Sequence, residues 1–390
     1  MSFSHATAED LVIGGGPAGS MLALRLAGAG CEVTLLEKER EPHHKVCGEF
    51  LSREAVEYLQ QVGISPCDLG ATGIGSVRLS SANTLVNATL PFRALSLSRY
   101  ALDEAMLAHA EARGCSVRRG ALVEKLTARG DHWEVQLREG ESICAKTVFV
   151  ASGKHDLRGW SRPKGRQSDL IGFKMHWQLA PIQTEALREL MELFLFQDGY
   201  GGLSLVEGDV ANLCLVVRRS RLHKIGGWTE LLAAILKENP HMRHCMQNAT
   251  TLWARPLAIS PIPYGYLAKR PGGIWRVGDQ AAVIPSFTGD GMSIALHSAT
   301  LAVQMYLAGE TADAFSQQLH RQLHRGMALA TLLSRMMVTG GGRRLAPVAL
   351  SLFPDAMRWI ASSTRIPDNA LIDASTHAGV HAELRATHGD

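Results

Sequence analysis

Short apolar runs and longer amphipathic runs alternate through the first 150 residues, as they do where strands and helices alternate in a parallel sheet. Residues 11–13 and 32–36 read as apolar strands on either side of a helix, and the second strand ends on Glu37. A basic, small-residue loop covers 41–52, and a helix with Ala55, Val56, Leu59 and Val62 on one face follows, ending at Gly63. Residues 76–80 and 84–90 read as short strands. A helix opens at 97–103 with Ser98 as its N-cap and runs to Gly114. Segments 116–118, 121–128, 133–138 and the strand around Ile143 suggest a small β-meander, which feeds a buried strand at 147–151 that stops at Ser152 and Gly153.

Beyond a linker-like stretch at 163–168 the pattern changes. Longer alternating strands at 171–179, 191–196, 202–206 and 212–217 are interrupted by helices at 184–189 and 228–237. That predicts a second sheet with helical cover, placed to roof a substrate pocket. Residues 261–271 return the chain, and 273–277 form a last strand before Gly278 and Asp279. From Gly291 helices dominate, with Gly340, Gly341 and Gly342 as the expected break.

The junction of the first strand and helix carries the chemistry. Gly14, Gly16 and Gly19 stand in G-x-G-x-x-G spacing. Gly14 permits a tight turn, Gly16 lets backbone approach a pyrophosphate, and Gly19 lets the helix pack close to the strand. The helix then points its positive end at the phosphates. Glu37 falls about 20 residues on, where an acid accepts hydrogen bonds from a ribose. A carboxylate there repels a 2′-phosphate, so the pocket suits FAD or NAD better than NADP.

A second run, 277–292, sets Asp279 at a strand's end, then Pro285, then Gly289 and Gly291 opening a helix. The acid can hold a ribityl or ribose hydroxyl, the glycines let backbone N–H groups approach a ring, and the helix tip can stabilise an anion such as a reduced flavin.

Composition narrows the field. With 390 residues there is room for two domains or one large domain with an insertion, and 40 basic against 37 acidic residues leave a formal charge of +3. Neither that balance nor any basic block argues for nucleic acid. No signal peptide opens the chain, and no window of about 18 apolar residues spans a membrane. Seven scattered cysteines without C-x-x-C spacing fit a reduced, cytoplasmic protein. His241, His244 and Cys245 lie close in sequence but read as a polar helix surface, so no metal is expected.

The two glycine motifs, with Leu97-Ser98-Arg99 between them, resemble the FAD-dependent oxidoreductases that share the fold of para-hydroxybenzoate hydroxylase, and within them the geranylgeranyl-reductase-like branch. The resemblance implies an α/β (α+β overall) chain: a Rossmann-like FAD-binding domain from 1–75, 96–165 and 271–308, an inserted antiparallel substrate sheet from 76–95 and 166–270, and C-terminal helices from 309–390. It places Arg99 near the pyrophosphate or ribityl chain, Asp279 on the ribityl hydroxyls, and Gly289, Gly291 and Met292 at the ring. Pro17, Ala18, Lys38, Val123 and Gly153 complete the expected cofactor set. The loop 45–49 resembles a cysteine-glycine loop beside the isoalloxazine, which puts Cys47 and Gly48 on the flavin and makes Cys47 and Pro285 the catalytic candidates. The turn at 198–203 either lies over the flavin or is a plain hairpin.

Aromatic hydroxylases of this fold carry Asp-Gly after the late strand, serving FAD and NAD(P)H together. Here Asp156 is followed by Leu157, and Lys154, His155 and Arg158 stand ready for an acidic substrate group or a carrier. The W-x-W-x-I-P signature of flavin halogenases is absent. Three readings stay open: reduction or dehydrogenation of a carbon–carbon bond in an apolar molecule such as a prenyl, polyketide or aromatic compound; hydroxylation by a flavin monooxygenase with NADH or NADPH as donor; and flavin binding without turnover. His155, His176 and His297 are candidate proton donors, each more ordinarily packed or solvated. Arg343, Arg344 and the apolar stretch 345–360, broken by Pro347, Pro354 and Asp355, either close the pocket, rest on a membrane surface or pack on the body.

Overall fold

In the computed structural model of the chain, residues 5–82, 84–269, 272–343, 345, 350 and 355–372 are described. Strand β1 (His5–Ile13) is the centre of the first sheet, parallel to β2 (Val33–Glu37) on one side and to β9 (Ser142–Val150) on the other. β6 (Ser116–Arg119) extends the sheet beyond β2, and β17 (Trp275–Arg276) pairs parallel with β9. Only β7 (Val123–Arg129), β8 (His132–Leu137) and β9 form the meander, because β6 joins β2 instead. The register sets Ile13 beside Leu36 and Val150, so Gly14, Glu37 and Ala151 emerge at one edge.

Three helices cover one face: α1 (Pro17–Gly28), α3 (Arg99–Ala112) and, from far along the chain, α8 (Gly291–Leu307). Helix α1 has no polar stripe and is buried from Pro17 to Leu26, sandwiched between the sheet, α3 and α8. Helix α2 (Arg53–Gln61) closes the end of α8, where Tyr58 donates to or accepts from His297 at 2.7 Å.

The second sheet runs in the order β14–β10–β13–β12–β11–β4–β5–β3, with β15 (Leu257–Ile259) also on β10. Its strands are β3 (Phe50–Leu51), β4 (Thr72–Ser81), β5 (Thr84–Ser96), β10 (Leu170–Gln178), β11 (Glu189–Phe196), β12 (Gly199–Val206), β13 (Val210–Arg218) and β14 (Thr250–Thr251). The boundary expected at 76 falls inside β4, and the sheet is not wholly antiparallel, because β11 runs parallel to β4. Side chains alternate between faces as the strand period requires. Phe194, Phe196, Leu215 and Val217 pack under helices α6 (Trp228–Glu238) and α7 (Pro240–Cys245), while Leu195, Tyr200 and Val216 face Ile262, Tyr264 and Val283. The second face is the roof foreseen for a pocket. The helix expected at 184–189 sits earlier, as α4 (Pro181–Ala186), because Pro181 starts it.

The long helix α9 (Ala312–Met337) and α10 (Asp355–Ser363) finish the described chain. The break comes at Val338 and Thr339, and Gly340–Gly342 themselves lie in a helical turn. Arg344, Pro347 and Pro354 lie outside the described residues. Among the described residues no helix is long and apolar enough to cross a membrane.

Two features of this core make measurable demands. A Cβ built on Gly19 would stand 1.8 Å from the carbonyl oxygen of Gly14, and backbone cannot retreat as a flexible side chain does. Gly19→Ala is therefore expected to lower unfolding stability by ~3 kcal/mol or more, read from the urea midpoint of whatever soluble protein remains. His297 is buried between Tyr58 and Gln322, and burial holds its pKa at about 4. The unfolded chain takes up this proton first as pH falls from about 6.5 to about 4, so stability drops across that window and is intact above it. His297→Gln should be less stable than wild type at pH 7.5, and chemical denaturation should show that gap narrowing by roughly pH 4.5.

Candidate functional site

One cavity of about 630 Å³ opens where the edge of the first sheet meets the underside of the second. Its first wall is the β1–α1 turn. Gly14 has φ +110° and room for no side chain, since a Cβ would meet the Ala151 carbonyl oxygen at 2.5 Å. Gly16, Pro17 and Ala18 line the cavity at the tip of α1, whose first turn has no side-chain cap. Glu37 is buried beneath them, with one carboxylate oxygen accepting from the Gly15 amide (2.8 Å) and the other from the Glu39 amide (3.0 Å). Two backbone donors thus fix an acid at the groove floor.

The facing wall is built from 278–292. Gly278, at φ +60°, approaches α1 so closely that a Cβ would touch that of Ala18 at 2.8 Å. Asp279 lines the cavity and pairs with Lys154 at 3.6 Å. Lys154 also donates to the Val46 carbonyl at 3.2 Å, so its ammonium bridges opposite sides of the groove. Gly289, at φ +76°, lies against the Phe50 ring, and Gly291 and Met292 open α8 toward the cavity. Asp290 precedes α8 but does not cap it. Its carboxyl accepts from Thr364 at 3.3 Å and lies 3.7 Å from Arg365, and burial pushes its pKa up to about 6.

The third wall is the loop carrying Lys45, Val46, Cys47 and Gly48. It is anchored by Glu49, a fully buried acid at φ +59°. Its carboxylate accepts from Lys174, from the Arg99 amide at 2.8 Å and from His176 at 3.0 Å. These partners hold its pKa below the usual carboxylate range, against the opposing effect of burial. Arg99, the first residue of α3, lines the cavity beside Gly16, and Asp103 one turn on binds its guanidinium at 2.6 and 2.7 Å. Lys45 adds a second cation to Asp103 at 3.0 Å.

Beyond this groove the cavity continues as a chamber under the second sheet. Leu79, Met191, Leu195 and Val216 form its roof, Ile262 and Val283 one side, and Leu333, Met337, Met357 and Ile360 of α9 and α10 the other. Tyr264 donates to Ser286 at 2.8 Å at its edge. Among the described lining residues, charge is confined to the groove apart from Arg358, which is half-exposed and paired with Asp355.

The fold gathers most of the expected cofactor residues here: Gly14, Gly16, Pro17, Ala18, Glu37, Lys38, Cys47, Gly48, Arg99, Val123, Gly153, Asp279, Gly289, Gly291 and Met292 all line the cavity. Gly19 does not, because its place is against the Gly14 carbonyl. Pro285 also stays off the wall, and its neighbours Ile284 and Ser286 face the cavity instead. The turn expected at 198–203 is a hairpin with only Gln197 and Asp198 between β11 and β12, and Tyr200, Gly201 and Gly202 of β12 reach the cavity. His297 is buried beside Tyr58 and outside the cavity wall, and His176 is tied to Glu49, which leaves His155 as the histidine of the three that lines it.

Glu49, Lys174 and His176 are the residues that sequence reading missed as a group. Asp103 carried a signal, since it stands one helical turn after Arg99. His241 and Cys245 meet Glu192 rather than His244. Arg78 already occupies that carboxylate at 2.9 Å, and burial pushes the Cys245 thiol up to about 12, so the group is an ion-pair network.

The donor set fits FAD: an uncapped helix tip for a diphosphate, an oriented acid for a ribose, glycine-lined backbone at the far tip for a ring, and one continuous groove joining them. Comparison with known proteins agrees. Residues 7–198 match the FAD binding domain family model. Rifampicin monooxygenase of Streptomyces venezuelae is 27% identical over 219 residues, 51% of this chain and 44% of that protein, so the chain spans less than half the length of this relative. Digeranylgeranylglycerophospholipid reductase 2 of Methanosphaera stadtmanae is 26% identical over 310 residues, 75% of this chain and 76% of that one. Among solved structures, the flavin-dependent brominase Bmp2 superposes with a TM-score of 0.75 at 15% identity, over 98% of this chain and 100% of the other, and so shares the fold. Residues 7–198, just under half of the chain, thus match the FAD-binding-domain family, and the chain as a whole shares the fold of a flavin-dependent enzyme.

Proposed function

We propose that this flavoenzyme acts on a neutral, largely apolar small molecule of prenyl, polyketide or aromatic type, reducing or dehydrogenating a carbon–carbon bond. The observation that carries this is the division of one continuous cavity into a charged groove and an apolar chamber. A charged substrate would lose its hydration in a chamber whose described lining offers one charged group, Arg358 at its exposed side, whereas an apolar one gains burial throughout. Methionines on two walls, Met191 on the roof and Met337 and Met357 on the side, let the chamber adapt to an irregular chain.

FAD, when bound, supplies the two-electron chemistry, and the chain's own groups bind, orient and exclude water. Glu37 would take the ribose, the α1 tip the diphosphate, and Asp279 the ribityl hydroxyls. The α8 tip would stabilise negative charge on a ring held there, through its dipole. Cys47, on the groove's third wall, would be a polarisable neighbour of the ring. Similarity to the Methanosphaera stadtmanae reductase over three quarters of the chain supports the geranylgeranyl-reductase-like reading.

A second reading, hydroxylation of an aromatic or polyketide molecule, is supported by similarity to rifampicin monooxygenase over about half of the chain. NADH or NADPH is the proposed electron donor in either case. The place of the usual Asp-Gly is taken by residues whose groups are already engaged: Lys154 on Asp279, and Asp156 on Arg162 at 2.6 Å. Reduction by bound pyridine nucleotide is therefore expected to be slow unless substrate accelerates it.

Purified protein is expected to release FAD on denaturation, identified by mass and absorbance; FMN or no chromophore after reconstitution contradicts the assignment. Glu37→Ala should weaken FAD binding by roughly 10- to 100-fold in a fluorescence titration, through loss of a buried, charge-assisted acceptor. NAD(P)H oxidation that proceeds under argon with an apolar alkene and yields the saturated product supports the reductase reading. Oxidation coupled one-to-one to oxygen uptake, and only in the presence of an aromatic or polyketide molecule, replaces it with the monooxygenase reading.

A further inference from the structure

The cofactor domain and the second sheet meet at a buried polar knot that no step described so far uses. At its centre Glu49 is fully buried, as is Lys174, and His176 is nearly so. Beyond its bonds to Lys174, His176 and the Arg99 amide, Glu49 receives two more bonds at its own carbonyl, from Leu97 N (3.0 Å) and Ser96 Oγ (3.1 Å). Its amide donates to Cys47 Sγ at 3.4 Å. One β13 residue completes the knot: Asn212, paired in register with His176, donates its side-chain amide to the Cys47 carbonyl at 3.2 Å. Asn212 is buried, and its side-chain oxygen has no hydrogen-bond partner in the structure.

Trp253 closes the knot from outside. Its ring stacks on His176 at 4.5 Å, with the Lys174 ammonium 5.7 Å from its centre, and His44 packs against both rings and against Tyr100. Lys174 and His176 alternate on β10 with residues of the opposite face, so both point the same way, toward the loop. A non-glycine residue held at φ +59° persists only where its surroundings over-determine it, and here six bonds do so.

Resting on the assignment of the groove to FAD, we propose that Glu49 is a positioning residue: through it Lys174 and His176, with Asn212 bonding the Cys47 carbonyl directly, fix the Cys47–Gly48 peptide and the N-terminus of α3 against the flavin. The sheet that roofs the chamber thereby sets the pose of the loop beside the ring. A shift of β10 or β13 when substrate fills the chamber is transmitted to Cys47 and Arg99 through fixed bonds.

The test compares Glu49→Ala, the double variant Glu49→Ala with Lys174→Met, and Asn212→Ala in the full chain. Three readouts are needed: thermal unfolding of FAD-free protein, FAD affinity by fluorescence titration, and the alkylation rate of the Cys47 peptide by mass spectrometry. Glu49→Ala should unfold earlier, since it strands a buried ammonium. The double variant should regain most of that temperature, yet bind FAD at least tenfold more weakly and alkylate Cys47 at least tenfold faster than wild type. Asn212→Ala should speed Cys47 alkylation severalfold with little change in unfolding temperature.

If the double variant recovers wild-type FAD affinity and Cys47 protection along with its stability, the knot only packs and the proposal is wrong. Unchanged Cys47 reactivity in a folded Asn212→Ala protein likewise overturns it. Should wild type itself fail to bind FAD, the flavin assignment falls instead, while Cys47 alkylation still judges the anchor.

Discussion

Helix α1 rests on strand β1 through bare backbone. With no side chain at Gly19, the helix comes within van der Waals contact of the Gly14 carbonyl, and with none at Gly278 the returning chain reaches Ala18 on the same helix. Those close approaches bring the tip of α1, the buried Glu37 and the 278–292 segment to a single edge, although the last lies more than 200 residues further along the sequence. Any added Cβ would push the tips apart. The groove exists because three layers of backbone can touch.

From that edge the molecule divides its labour by dielectric. Charged and polar groups collect where a diphosphate and sugar hydroxyls would lie, each already given a partner: Glu37 two amides, Arg99 a carboxylate, Asp279 a lysine. The chamber beyond is lined by aliphatic side chains and methionines, with the Tyr264–Ser286 hydroxyls at its edge. Such an arrangement leaves the chemistry to the cofactor and gives the chain the work of orientation and water exclusion. Catalytic side chains in the sense of a strong acid or base are absent from the described lining of the chamber, and Arg358 there is already paired.

What the sequence revealed followed from local spacing. Gly14, Gly16, Gly19 and Glu37 form one βαβ unit whose period is written in the chain, and Asp279 to Met292 form one strand-loop-helix unit. Contacts that join distant segments left no such mark. Glu49 and Lys174 are 125 residues apart, and in sequence each is an ordinary charged residue, one in a basic loop and one in an apolar strand. The parallel pairing of β4 with β11 is equally invisible, because alternation predicts a strand but not its neighbour. The three glycines at 340–342 misled for a related reason: glycine permits a break but does not require one, and the turn came two residues earlier.

The most direct examination of this account is difference electron density from crystals of the full chain grown with FAD. The diphosphate is expected on the amides of Gly16 and Ala18, the ribose on Glu37, and the ring between the Cys47 loop and the Gly289–Met292 tip of α8. A flavin seated with its ring at the α1 tip, or elsewhere on the molecule, would contradict the account.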